Sequence, residues 1–254
     1  MTTSTSTVVG RYVYAFVRAS DVDAITATEL QGLFGVPVES ETFGELAAIT
    51  TPIETAVIRP RRKLLAAHQH VVAEISKRWD MLPVSFGLVA SDESELTDIV
   101  AANSDQLIDV LNRVSGKVEM SLILCWATDD VFQYFVSKHE ELQEARDRIA
   151  GGQATRDEMI EMGRLFEGIL NRSRETEGER VTNALTEVCS EVDLQDAKGE
   201  KEVVRVNCLI DRNGEQAFEA AVRELAKHYN DEYAFSFNGP WPPYSFVNLK
   251  LSVE

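Results

Sequence analysis

The order in which hydrophobic periods of two and of about 3.6 residues follow one another restricts this chain to few folds. From Val8 to Arg18, Tyr12, Tyr14 and Phe16 alternate with Val13, Ala15 and Val17, the pattern of a strand. Asp21 is placed to cap a short helix reaching about Leu33. Gly35 to Val38 and Gly44 to Thr50 read as two strands joined by a turn. Leu64, Leu65, His68, Val71, Val72 and Ile75 recur at helical spacing within residues 63–79. Pro83 to Ala90 is a short apolar strand, and Ser91 or Asp92 caps an acid-rich helix start. That helix is expected to run to about Val114 and stop near Gly116, followed by an apolar strand from Val118 to Trp126. The order predicts a ferredoxin-like sheet with an extra helix–strand element and helices on one face.

Beyond this strand the pattern changes. Asp129 and Asp130 precede a helix with Phe132, Phe135 and Val136, a polar helix continues to about Arg148, and Gly151-Gly152 breaks it. Thr155 and Glu158 form a capping box for a long helix. Its stripe of Met159, Met162, Phe166, Ile169 and Leu170, resumed by Val181, Leu185 and Val188, reads as packing surface. A strand at 203–210, a helix at 215–229 and a strand at 233–237 complete an α+β second half. The expected fold class is α+β: a ferredoxin-like N-terminal domain, then a helical and α/β C-terminal domain. The expected division is a flexible terminus at 1–9, a domain at 10–127 and a domain at 128–254, with the boundary near Ala127-Thr128.

Charge removes one class of partner. The net charge of −17 repels phosphate backbones, so no nucleic-acid role is expected. The compact basic run Arg59-Pro60-Arg61-Arg62-Lys63 reads as a solvated helix entry. Residues 1–7 lack a basic and an apolar segment, so they do not form a secretory signal, and no apolar run approaches a membrane span. The three cysteines, Cys125, Cys189 and Cys208, form no CxxC and fit a reducing compartment. A cytoplasmic location with no membrane contact is the expectation.

No motif asks for catalysis. His68 and His70 are two apart, so a helix points them to different faces, and no HExxH is present. There is no GxGxxG, Walker loop or GxSxG elbow. No cofactor, metal or catalytic residue is expected. A ferredoxin-like enzyme or small-molecule binder with an interdomain pocket is the alternative, because catalytic groups can converge from distant positions.

The last segment is distinctive. Pro240, Pro242 and Pro243 stiffen a loop bearing Trp241, Tyr244 and Phe246. Rigid aromatics serve recognition, and they equally serve to plug a domain's own core.

The run from Asn238 to Val247, Asn-Gly-Pro-Trp-Pro-Pro-Tyr-Ser-Phe-Val, resembles the C-terminal region of the gas vesicle GvpL/GvpF family. Asn207 to Asp211, Phe218 to Val222, Tyr12-Val13-Tyr14, Leu82 to Val89 with the acids after it, and Gly116 to Met120 resemble other family segments in order. The similarity runs from about residue 10 to 250. Ala15 stands where the family's opening motif often has Gly, and Ser85 where its middle strand often has Arg. The resemblance implies a non-enzymatic accessory or minor component of gas vesicles, buoyancy compartments walled by protein. It implies binding of the small hydrophobic shell protein, control of that protein's aggregation, nucleation of assembly, and contact with other accessory proteins. Tyr12, Tyr14, Trp241, Tyr244 and Phe246 are the expected contacts, through a sheet edge or an aromatic surface.

Overall fold

A computed structural model describes residues 10–55, 57–153 and 155–249. The terminus at 1–9 lies outside the described residues. The chain divides into two compact units, one up to Glu119 joined by the segment from Pro240 onward, the other Met120–Gly239. The division therefore differs from a single cut near Ala127: the last segment returns to the first unit.

The first unit opens with β1 (Gly10–Arg18), a short helix α1 (Val22–Thr26) and the hairpin β2 (Glu39–Phe43) and β3 (Leu46–Ile53). Helix α2 (Arg62–Ser76) leads to β4 (Met81–Pro83) and β5 (Val89–Ala90), and α3 (Glu93–Val114) follows. The sheet order is β2-β3-β1-β4, with β5 pairing farther along β1. The pairings are antiparallel. This is the βαββαβ order of a ferredoxin-like sheet.

Four local expectations change. The stretch from Pro83 to Ala90 is not one strand. It leaves the sheet between β4 and β5, where Gly87 adopts φ +110°, while Val84 N–H and Leu88 C=O keep bonds to Tyr14 and Val13. A bulge in β1 between Val13 and Ala15 flips the alternation, so Tyr12, Tyr14, Ala15 and Val17 share one core while Phe16 leaves it. Helices cover both faces rather than one: α2 and α3 each pack on β1 and β4, only α2 contributes to the core around Tyr12, and β1 is buried along nearly its whole length. Asp21 stands at the N-cap of α1 as expected but its side chain makes no capping bond, and α1 ends at Thr26, short of Leu33, which instead opens a 3-10 turn at Leu33–Gly35.

The second unit takes most of β6 (Lys117–Trp126), then α4 (Val131–Lys138), α5 (Glu140–Arg148) and α6 (Arg156–Leu185). It closes with β7 (Glu191–Gln195), β8 (Glu202–Asp211), α7 (Glu215–Ala226) and β9 (Tyr233–Trp241). The sheet order is β7-β8-β6-β9. Counted from β6, this is the order of the first sheet again, with α4 to α6 inserted where the first unit has α1. The repetition is topological and leaves no visible repeat in the sequence.

The capping box at Thr155 and Glu158 is present and starts a helix of 30 residues, about 45 Å long. Ile169, Leu170, Val181 and Leu185 are buried, but Met159 is 52 % exposed, so the apolar stripe is core only in its later turns. The polar stretch 175–180 does not interrupt α6. Glu177 within it is buried, accepts a 2.6 Å hydrogen bond from Tyr229 and pairs with Arg180. Cys189 and Cys208, distant in sequence, meet: a thiol hydrogen bond from Cys208 holds the Cys189 thiol below its ordinary pKa, against the effect of burial. Among the described residues, no helix is long and apolar enough to cross a membrane.

Candidate functional site

The segment from Pro240 is pinned to the first unit by three polar anchors and one ring. Glu119, buried near the start of β6, accepts the backbone N–H and the hydroxyl of Ser245, each at 2.8 Å. Arg113, in the last turn of α3, donates to the carbonyl of Phe246, and the Phe246 ring is buried. Tyr244, half-buried in a 3-10 turn, brings its hydroxyl within 3.3 Å of Nε2 of His68. Its packing partners belong to the core around Tyr12.

His68 sits on the inner face of α2 and is only 2 % exposed. Its Nδ1 lies 2.9 Å from the Tyr12 hydroxyl, which also accepts the Gly87 N–H at 3.2 Å. The ring stacks on Tyr14 and meets Tyr12 and Phe86 edge-on. The Tyr14 hydroxyl accepts the Leu33 N–H at 2.7 Å and lies 3.0 Å from Thr51 Oγ1. Gly32 lets this happen: a Cβ there would fall 2.3 Å from both Tyr14 Oη and Thr51 Oγ1.

Burial pushes His68 down to about 4, with a hydrogen bond to the Val84 backbone acting in the opposite direction. Burial also raises Tyr244 to about 12, and raises Tyr12 and Tyr14. At neutral pH the imidazole is neutral, with one N–H donor and one acceptor for its two tyrosine neighbours. No group in this cluster titrates near neutrality. The arrangement orients rings and fastens the returning segment.

The five expected contacts thus separate. Tyr12 and Tyr14 are fully buried, and β1 is no sheet edge, having β3 on one side and β4 and β5 on the other. They are not surface contacts in this fold. The reason is that strand β1 lies mid-sheet between two helical layers, which alternation alone does not reveal. Phe246 is buried, and Tyr244 is half-buried against the core around Tyr12. Trp241 is 51 % exposed at the end of β9, the outermost strand of the second sheet. Phe34 and Val57 are the most exposed of the large apolar side chains among the described residues, and neither stands out in the sequence. The signals available were a Phe ahead of Gly35-Val36-Pro37 and an apolar pair ahead of the basic run at 59–63. Among the described residues, no group of three His, Cys, Asp or Glu side chains is placed to hold a metal ion.

A profile of the family described as gas vesicle synthesis protein GvpL/GvpF matches residues 10–248. Gas vesicle protein F of Dolichospermum flosaquae is 25% identical over 87% of this chain and 91% of its own length. Gas vesicle protein L1 of Halobacterium salinarum is 29% identical over 94% of this chain and 90% of its own. The crystal structure of gas vesicle protein GvpF from Microcystis aeruginosa superposes with a TM-score of 0.80 at 23% identity, covering 95% of this chain and 100% of that one. At that identity the likeness is one of fold. The profile match spans nearly the whole chain, including the pinned segment around Trp241, and the chain belongs to the GvpL/GvpF family of gas vesicle synthesis proteins.

Proposed function

We propose that this protein is a gas vesicle accessory or minor structural protein that binds the small hydrophobic shell protein, limits its aggregation and helps nucleate vesicle assembly, without catalysing a reaction. The observation that carries this reading is the half-exposed indole of Trp241, held at a fixed place. Proline stands on both sides of it, and Tyr244, Ser245 and Phe246 are fastened just beyond. A ring ordered before binding loses little entropy on contact, which suits capture of an apolar partner. The net charge of −17 supports the same reading, because an acidic carrier keeps a complex with an apolar subunit apart from its copies. Association with gas vesicles and contact with other accessory proteins follow from the same role.

The test is copurification of the chain with coexpressed shell protein, at low and at moderate salt. A soluble complex in fixed ratio is the expected result. A folded chain that leaves a soluble shell protein unbound would overturn the reading.

A further inference from the structure

A groove of about 510 Å³ lies on the first unit, between the turn at Leu33–Gly35 and the start of α2. Ile58, a core residue, and Leu64, partly buried against that core, line it together with Phe34 and Val57, which are 59 % and 72 % exposed. Arg59 and Arg61 line its lip, and Arg62 and Lys63 continue it. We infer that this groove docks a segment of another protein in which apolar side chains stand beside carboxylates. The inference goes beyond the proposed function and concerns a surface separate from Trp241.

Three observations converge on that occupant. The first is the fixed backbone turn that carries the exposed ring. Phe34 holds φ +59°, the left-handed region that disfavours side chains with a Cβ. Its neighbour Leu33 is buried and donates its N–H to Tyr14, and the Gly32 N–H bonds the Val36 carbonyl at 2.8 Å. The turn therefore sustains backbone strain to display an aromatic ring in water, and such strain is characteristic of ligand clamps. The second is continuity with the core: a side chain entering the groove meets Ile58 and Leu64 and loses its water. The third is charge. The chain has 42 acids against 25 Lys and Arg, yet four of five consecutive positions here are basic and exposed. None of the four forms an ion pair with a described residue, and Glu54, the nearest carboxylate in sequence, pairs with none of them. At physiological salt, screening over about 8 Å leaves the local lip rather than the distant negative surface to set the contact. Arginine at such a lip favours carboxylates through paired N–H donors.

The experiment selects a random-peptide display library against the full purified chain and against two variants, Arg59→Glu with Arg61→Glu, and Phe34→Ser. These side chains are exposed, and unchanged melting of the variants confirms their fold. The expected result is enrichment of peptides that combine Asp or Glu with Leu, Ile, Phe or Trp. An enriched peptide, labelled and followed by anisotropy, should bind each variant at least about tenfold more weakly. No enrichment, enrichment of basic peptides, or binding indifferent to both variants would overturn the inference. Capture by phosphatidylglycerol vesicles, or self-association, through the same arginines with no peptide selected would also overturn it. Shell-protein binding does not enter this assay, so its failure and that of the proposed function are distinguishable.

Discussion

The hydroxyl of Tyr244 stands 3.3 Å from Nε2 of His68, while Tyr12 holds Nδ1 of the same ring at 2.9 Å. Two tyrosines, one near each end of the chain, thus share one buried imidazole. Their removal should not cost the same. Tyr12→Phe strands His68 Nδ1 inside the core, also removes the acceptor of the part-buried Gly87 N–H bond, and should destabilise the chain by about 1–3 kcal/mol. Tyr244→Phe removes a longer bond from a half-buried residue and should cost at most about 1 kcal/mol. Urea unfolding with unchanged m-values measures both, and equal losses would contradict the asymmetry.

The same imidazole links stability to pH. Burial lowers His68 from 6.5 to about 4, so between those values the unfolded chain binds a proton that the folded chain does not. Stability contributed by this group is therefore present above pH 6.5 and is lost as pH falls toward 4. The slope is at most about 1.4 kcal/mol per pH unit, and the total is roughly 3 kcal/mol. Glu95, held low by its hydrogen bonds to Ser91, adds the same sign only below the ordinary carboxylate value of 4.5. Comparing the chain with His68→Gln by urea unfolding between about pH 7 and about pH 5 isolates the histidine. Parallel losses in both proteins would assign the slope elsewhere.

Close approach makes a sharper demand at Gly32. An added Cβ would lie 2.3 Å from the Tyr14 hydroxyl and from Thr51 Oγ1, both in the core. Gly32→Ala must displace a hydrogen-bonded pair and should cost more than about 2 kcal/mol. Gly35→Ala nearby meets open space and carries only the strain of φ +73°, about 1–2 kcal/mol. Thermal unfolding of the two variants should rank them in that order.

The sequence carried the element order well because alternation and helical spacing are local properties. β1, α2, α3 and β6 stand where their periods put them, and the caps at Asp92, Asp130 and Thr155 form as their residue types require. What it could not carry was the consequence of one extra residue in β1. The bulge at Val13–Ala15 moves Phe16 to the opposite face from Tyr12 and Tyr14, and periodicity assumes no bulge. Nor does any period say that a strand lies mid-sheet, which is what buries Tyr12 and Tyr14 and removes them from the surface. The return of the last segment depends on Glu119, Arg113 and His68, three residues from three separate elements, each unremarkable in its own neighbourhood. Trp241 was legible as a candidate because proline flanks it. Phe34 was not, because its exposure depends on a left-handed φ that sequence rules reserve for Gly and Asn.

Trp241 and Phe246 lie five positions apart and should respond oppositely to truncation. Phe246 is buried and its carbonyl is held by Arg113, so Phe246→Ala should destabilise the chain by about 3 kcal/mol or more. Trp241 is half-exposed, so Trp241→Ala should change stability far less, within about 1 kcal/mol. If Trp241 is a contact for the shell protein, its loss should weaken that complex by about tenfold or more while the urea midpoint stays nearly fixed. A Trp241→Ala variant that unfolds early and binds normally once folded would instead make the indole part of the plug. Measuring midpoint and affinity on both variants separates the two roles, because a residue that only fastens the segment cannot lower affinity without first lowering stability.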